Sequence, residues 1–112
     1  MSDVKNKFVI TDNEIIGGRV IFHKQLHKNP VGGGWWYYHK EQNKLILYGS
    51  SQDFGSATKE QIDAAELSGS FKKLKKVEII FDERDHLDVL NILTDHLGFE
   101  EALKCSSECD FI

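Results

Sequence analysis

Two short runs of β-forming residues, Trp35 to His39 and Lys44 to Tyr48, flank the polar tetrapeptide Lys40-Glu41-Gln42-Asn43. Aromatic and aliphatic side chains on both sides of such a turn specify a β-hairpin, because these residues pack best on a half-buried pleated surface. Closing the hairpin brings the residues before its first strand close to those after its second. Gly32-Gly33-Gly34 therefore meets Gly49 to Gly55 (GSSQDFG) at one end of a sheet. Successive strand residues point to opposite faces, so Trp35 and Tyr37 share one face and Trp36 and Tyr38 the other. One face is core; the other lines a pocket or an interface.

The rest of the chain supplies partners for this hairpin. Lys7 to Thr11 reads as a strand closed by Asp12-Asn13. From Ile15 to Lys28 the pattern alternates, with Val20, Phe22 and Leu26 on one side and Arg19, His23, Gln25 and His27 on the other. Gly17-Gly18 inside it marks a bulge or a close approach to the backbone. Asn29 to Gly34 reads as a loop. Thr58 and Gln61 form a capping box that opens a helix with an apolar stripe at Ile62, Ala65 and Leu67, stopping at Gly69. Lys76 to Asp82 is a further strand. Asp85 caps a second helix whose face is Leu87, Leu90, Leu93 and Leu97 with Val89 and Ile92, ended by Gly98. Phe99 to Lys104 adds a turn or two, and 105–112 reads as a C-terminal tail. The expectation is one α+β domain over 1–112, a mainly antiparallel mixed sheet of about five strands with two helices packed on it.

Composition narrows the function. With 112 residues, 40% of them hydrophobic, there is material for one core. No apolar run approaches the roughly 20 residues of a membrane-spanning helix, and the first residues lack a signal-peptide core. The two cysteines then read as reduced thiols, and the expected location is cytoplasmic. Residues 1–52 carry seven Lys/Arg against four Asp/Glu, and residues 53–112 carry seven against fourteen. Only Arg19 and Arg84 are arginines. Base readout favours arginine, so nucleic acid is not an expected partner. A small anionic ligand, or a protein partner for exposed aromatics, fits better.

The paired loops are the candidate site. The second runs toward a helix N-terminus, where unpaired N–H groups and the helix dipole attract anions. Gly34, Ser50, Ser51 and Gln52 are its candidate ligand contacts, with Arg19 as the cation. His23 and His27, read on the same strand face as Arg19, are the candidate nucleophiles or bases; otherwise that face is simply polar and solvated. Asp82-Glu83-Arg84-Asp85-His86 offers metal-type ligands, yet helix capping accounts for the same residues. Cys105 and Cys109 lack the second pair a zinc site needs. No metal or cofactor is expected.

The segment VGGGWWYYHKEQNKLILYGSSQDFGSATKEQI resembles the central part of the phosphohistidine phosphatase family, which includes the Janus and Ocnus proteins. The shared features fall on Gly32 to Gly34, Lys44, Tyr48-Gly49, Ser51, Phe54-Gly55 and the helix from Thr58. About half the chain takes part, with a counterpart to the strand near Val77 to Phe81. The resemblance implies the family's fold and places a phosphate pocket at the two loops, with Ser51 matching a phosphate-loop serine and Arg19 standing for an early-strand lysine. Three departures point away from turnover. Trp35 occupies the position of a basic residue after the triplet. Leu26 to Val31 is short for the helix that bears the family's catalytic histidine, leaving His23 or His27 as a relocated one. Asp53 puts a carboxylate in a loop that is uncharged in the family, where it would fold back as an internal acceptor. The expected function is thus a phosphohistidine-phosphatase-like domain that binds a small anion or phosphorylated group without the family's catalysis. Behind it stand a protein-interaction domain and a phosphoramidate hydrolase.

Overall fold

The computed structural model describes residues 5–51 and 54–105. Six strands form one mixed sheet: β1 (Lys5–Ile10), β2 (Glu14–Val20), β3 (Gly32–His39), β4 (Lys44–Tyr48), β5 (Glu66–Gly69) and β6 (Glu78–Asp82). Their spatial order is β5-β2-β1-β3-β4-β6. The four inner strands pair antiparallel along the chain of neighbours β2, β1, β3 and β4. The two outer strands join parallel, β5 to β2 and β6 to β4. Three helices complete the fold: α1 (Lys59–Ala64), α2 (Val89–Leu97) and α3 (Phe99–Cys105). The domain is α+β, as the sequence implies.

The hairpin β3–β4 forms as read, with Trp36 opposite Leu47 and Tyr38 opposite Leu45. Its turn closes through the Asn43 amide donating to the Lys40 carbonyl, with Asn43 at φ 51°. Alternation along β3 and β4 divides the core. Trp36, Leu45 and Leu47 join Phe8, Ile10, Ile15, Ile62 and Phe71 on one face. Tyr37, Ile46 and Tyr48 join Ile92, Leu93, Leu97 and Ala102 on the other. Helix α1 and the turn Ser70–Lys73 cover the first face; α2 and α3 cover the second.

Several expectations are corrected by tertiary pairing. The sheet has six strands, because the helix opened by the Thr58–Gln61 capping box stops after Ala64. Ala65 turns to extended backbone, and Leu67 then pairs with Ile15 on the outer edge of β2. A ladder along an otherwise unpaired edge outweighs the weak preference of so short a helix to continue. The alternating stretch 15–28 is a strand only to Val20. Beyond it the chain turns into a one-turn 3-10 helix, His23–Gln25, so Arg19, His23 and His27 do not share a face. Phe22, expected in the core, is 53% exposed. The pairing of β1 with β2 runs in unbroken register through Gly17 and Gly18, so there is no bulge there. Close approach is the reason for glycine: a Cβ on Gly17 would lie 2.1 Å from the Phe71 ring. On α2, Ile92, Leu93 and Leu97 are buried while Leu87, in the 3-10 turn His86–Asp88, is 81% exposed. Phe99–Cys105 is a full third helix; residues 106–112, including Cys109, lie outside the described residues. Among the described residues no helix is long and apolar enough to cross a membrane.

Candidate functional site

The glycine triplet is strand, not loop, and none of its members has a positive φ. Its composition follows from lack of space. A Cβ on Gly33 would fall 2.7 Å from the Phe8 carbonyl oxygen and 3.1 Å from the His23 ring. A Cβ on Gly34 would fall 2.5 Å from the Tyr48 carbonyl oxygen. The triplet meets the second loop as the hairpin geometry requires. The Gly33 amide donates to the Gly55 carbonyl at 3.0 Å, and the Ser51 amide donates to Gly33 at 3.1 Å and to Gly55 at 3.0 Å. Ser51 is buried, and its hydroxyl accepts from the Phe54 amide at 3.2 Å. These amides, and an acceptor site of this hydroxyl, are therefore engaged in holding the loop together. Ser51 is a structural lock here, and Gln52 and Asp53 lie outside the described residues.

The open space lies beside that junction. A cleft of about 470 Å³ is lined by Lys7, Phe22, His23, Trp35, Ser50, Asp85 and His86. His23 enters it from the one-turn helix after β2. Gln25 closes that turn, its side-chain oxygen accepting from the Ile21 and Phe22 amides at 2.9 and 2.8 Å. His23 is buried, and its Nε2 donates to the Gly34 carbonyl at 2.8 Å. A carbonyl only accepts, so Nε2 carries a proton. A nucleophilic or basic imidazole needs a ring held in this way.

Lys7 projects from β1, where it is paired with Trp35 on β3. Its ammonium donates to the Ile21 carbonyl and sits 5.2 Å from the centre of the Trp35 ring. His86 stacks on Trp35 with ring centres 4.6 Å apart and 19° between planes. Asp85 accepts from the Leu87 amide at 2.8 Å, capping the 3-10 turn His86–Asp88 and not, as expected, α2 itself, and its carboxylate lies 3.3 Å from His86 Nδ1. Among the described residues an amine, two imidazoles and Ser50 thus line one cleft with one carboxylate, that of the capping Asp85.

The remaining sequence candidates sit elsewhere. Arg19 is exposed on β2 and donates from Nε to the Asn6 side chain at 3.2 Å. His27 is exposed, its Nδ1 accepting from the Asn29 amide. Neither lines the cleft. Gly34 contributes through its carbonyl and Ser50 through its position. Lys7 and His86 were missed. Lys7 reads as an ordinary strand cation and His86 as part of a helix cap, since only strand pairing and the Gly49 turn bring them together.

The turn that presents His86 is fixed from behind. Gly49 donates its amide to the Arg84 carbonyl at 3.0 Å. Asp82 accepts from Arg84 Nε at 2.9 Å, Arg84 Nη2 at 2.7 Å and the Arg84 amide at 3.0 Å. It also accepts from His96 Nε2 at 2.9 Å, and Arg84 reaches on to Asp95 at 2.7 Å. The Arg84 guanidinium holds the Asp82 carboxyl far below its ordinary value of 3.8, with the Arg84 amide and His96 assisting and burial opposing. The metal-like cluster of carboxylates is thus a structural clamp. A folded pKa below the unfolded one gives stability that is complete above about pH 4 and is lost as pH falls toward the folded value. Asp82→Asn is expected to cost roughly 1.5–3 kcal/mol near neutrality. In urea titrations at stepped pH, the gap between wild type and variant should close below that point.

A second cluster, His39, Glu41 and Glu101, brings possible ligand atoms within 4.8 Å of one another. His39 Nδ1 accepts from the Gln42 amide at 3.1 Å and its Nε2 donates to Glu101 at 2.9 Å. A metal on Nε2 needs the opposite tautomer, which would turn an N–H toward the Gln42 N–H. The cluster is a tie between the hairpin and α3. No family model, no curated protein and no solved structure matches the chain.

Proposed function

We propose that this domain binds a small tetrahedral anion or phosphorylated group in the cleft between β1, the His23 turn and the His86 turn. The convergence of Lys7, Ser50 and His86 on that one cleft carries the reading. Charge-assisted donors around a concave space are what an anion requires, and the phosphohistidine-phosphatase resemblance points to the same end of the sheet. The contact set differs from the sequence expectation: Lys7 and His86 take the places given to Arg19 and Ser51. Calorimetric titration with inorganic phosphate tests it. Wild type is expected to bind, Lys7→Ala to bind roughly tenfold more weakly, a loss of about 1.4 kcal/mol, and His27→Ala to bind as wild type. Absence of phosphate binding, or equal loss in His27→Ala, would exclude the site.

One observation favours a second reading, phosphoramidate hydrolysis. His23 stands on a helical turn between an early strand and the glycine triplet, where the resembling family carries its catalytic histidine, and the Gly34 carbonyl fixes its ring through Nε2. In that chemistry the His23 ring attacks phosphorus, the P–N bond to the substrate breaks, and the leaving nitrogen takes a proton from solvent water. Water then cleaves the phosphate from His23. Incubation with a phosphohistidine peptide separates the readings: the binding reading expects no turnover, and turnover abolished in His23→Ala would replace it with the hydrolase.

A further inference from the structure

We infer that His86 is the specificity-determining residue of this anion site, a second cation beside Lys7 that is present only when its ring is protonated. The inference rests on the anion-binding reading above. His86 lies parallel to Trp35 at 4.6 Å, so its plane and position are set by the indole, not by chain entropy. Its backbone packs closely on Gly49, where an added Cβ would lie 3.2 Å from the His86 Cβ. It also lines the cleft shared with Lys7, His23 and Ser50.

The charged groups around it set the sign. Lys7, from β1, is a permanent cation on the shared Trp35 ring. His23, from the turn after β2, is the other imidazole on the cleft, held by the Gly34 carbonyl. From its own turn, the Asp85 carboxylate lies 3.3 Å from His86 Nδ1, and Asp88 follows at the end of the turn. From the preceding segment, Arg84 is engaged by Asp82 and Asp95. Among the described residues lining the cleft, a neutral His86 leaves Lys7 as the cation to set against Asp85. Protonation adds a second, and the gain is larger for a dianion than for a monoanion because Coulomb attraction scales with both charges. Imidazole is the side chain that makes this change between about pH 5 and 8.

The test uses sulfate, which keeps its double charge across that range, and perchlorate as a singly charged tetrahedral control. Affinities are measured by calorimetry at about pH 5.5 and about pH 8 on wild type, His86→Phe and His86→Arg. Both replacements keep a flat group on Trp35; phenylalanine has no charge, and arginine a permanent one. Thermal melts of all three establish that they fold. Sulfate is expected to bind wild type roughly tenfold more tightly at the lower pH, with perchlorate changing roughly threefold or less. His86→Phe should lose most of the sulfate slope, and His86→Arg should bind sulfate at the higher pH about as tightly as wild type does at the lower. A sulfate slope that survives intact in His86→Phe assigns the titration to His23 and overturns the inference while leaving the anion site standing. No gain in His86→Arg also overturns it. Absence of sulfate binding to wild type at both pH values overturns the site and the inference together.

Discussion

Trp36→Ala is expected to lower the free energy of unfolding by about 3–5 kcal/mol, the usual cost of deleting a large buried aromatic. Trp36 is 2% exposed, meets Phe71 edge-on with ring centres 5.2 Å apart, and donates from Nε1 to the Gly18 carbonyl at 3.0 Å. Truncation leaves a cavity on the first face of the sheet and strips the buried Gly18 carbonyl of that donor. Domains of this size are stable by about 5–15 kcal/mol in total, so the variant should unfold near or below ordinary growth temperatures. The neighbouring Trp35→Ala makes the contrast. Trp35 is only half-buried and lines the cleft, so its loss should change stability much less while abolishing the effect of His86 on anion affinity. Urea unfolding of the two variants side by side decides the point; equal destabilisation would mean that the two faces of β3 are not divided as described.

The second large effect is expected from one methyl group. Gly34→Ala sets a Cβ 2.5 Å from the Tyr48 carbonyl oxygen, 2.9 Å from the Phe8 ring and 3.1 Å from the Gly49 carbonyl oxygen. Two of these are backbone atoms of the neighbouring strand and its exit, which cannot swing aside as a side chain can. Overpacking of this kind costs about 1–3 kcal/mol. It should also move the Gly34 carbonyl that fixes the His23 ring through Nε2. Nitrogen NMR of the His23 ring is expected to show a single Nε2–H tautomer in wild type and a mixture in Gly34→Ala. A variant of full stability with an unchanged ring spectrum would refute the close-approach account of the triplet.

Much of the scaffold is legible before any coordinates. The hairpin of β3 and β4, the division of Trp35/Tyr37 from Trp36/Tyr38, the Thr58–Gln61 cap and the Asp85 cap all rest on local rules. The meeting of the two glycine segments follows from hairpin closure alone, and it occurs. Errors cluster where a segment is short and its conformation is settled by a neighbour. The alternation from Ile15 to Lys28 fits a long strand, yet Gln25 folds back onto the Ile21 and Phe22 amides and ends it. Leu67 fits a helix stripe, yet the free edge of β2 takes it.

The candidate site shows the same division. Residue type and local spacing determined on their own that the glycine triplet meets the polar loop after the hairpin and that histidines lie in the first segment. Which histidine faces the cleft, and which cation stands with it, was decided only by the tertiary structure. His23 is brought in by a 3-10 turn of three residues, Lys7 by its register against Trp35, and His86 by stacking on that same indole. Local preferences act over the few residues of a turn or cap. Lys7, His23, Trp35 and His86 are separated by up to 79 positions along the chain, and only strand register and side-chain packing bring them together.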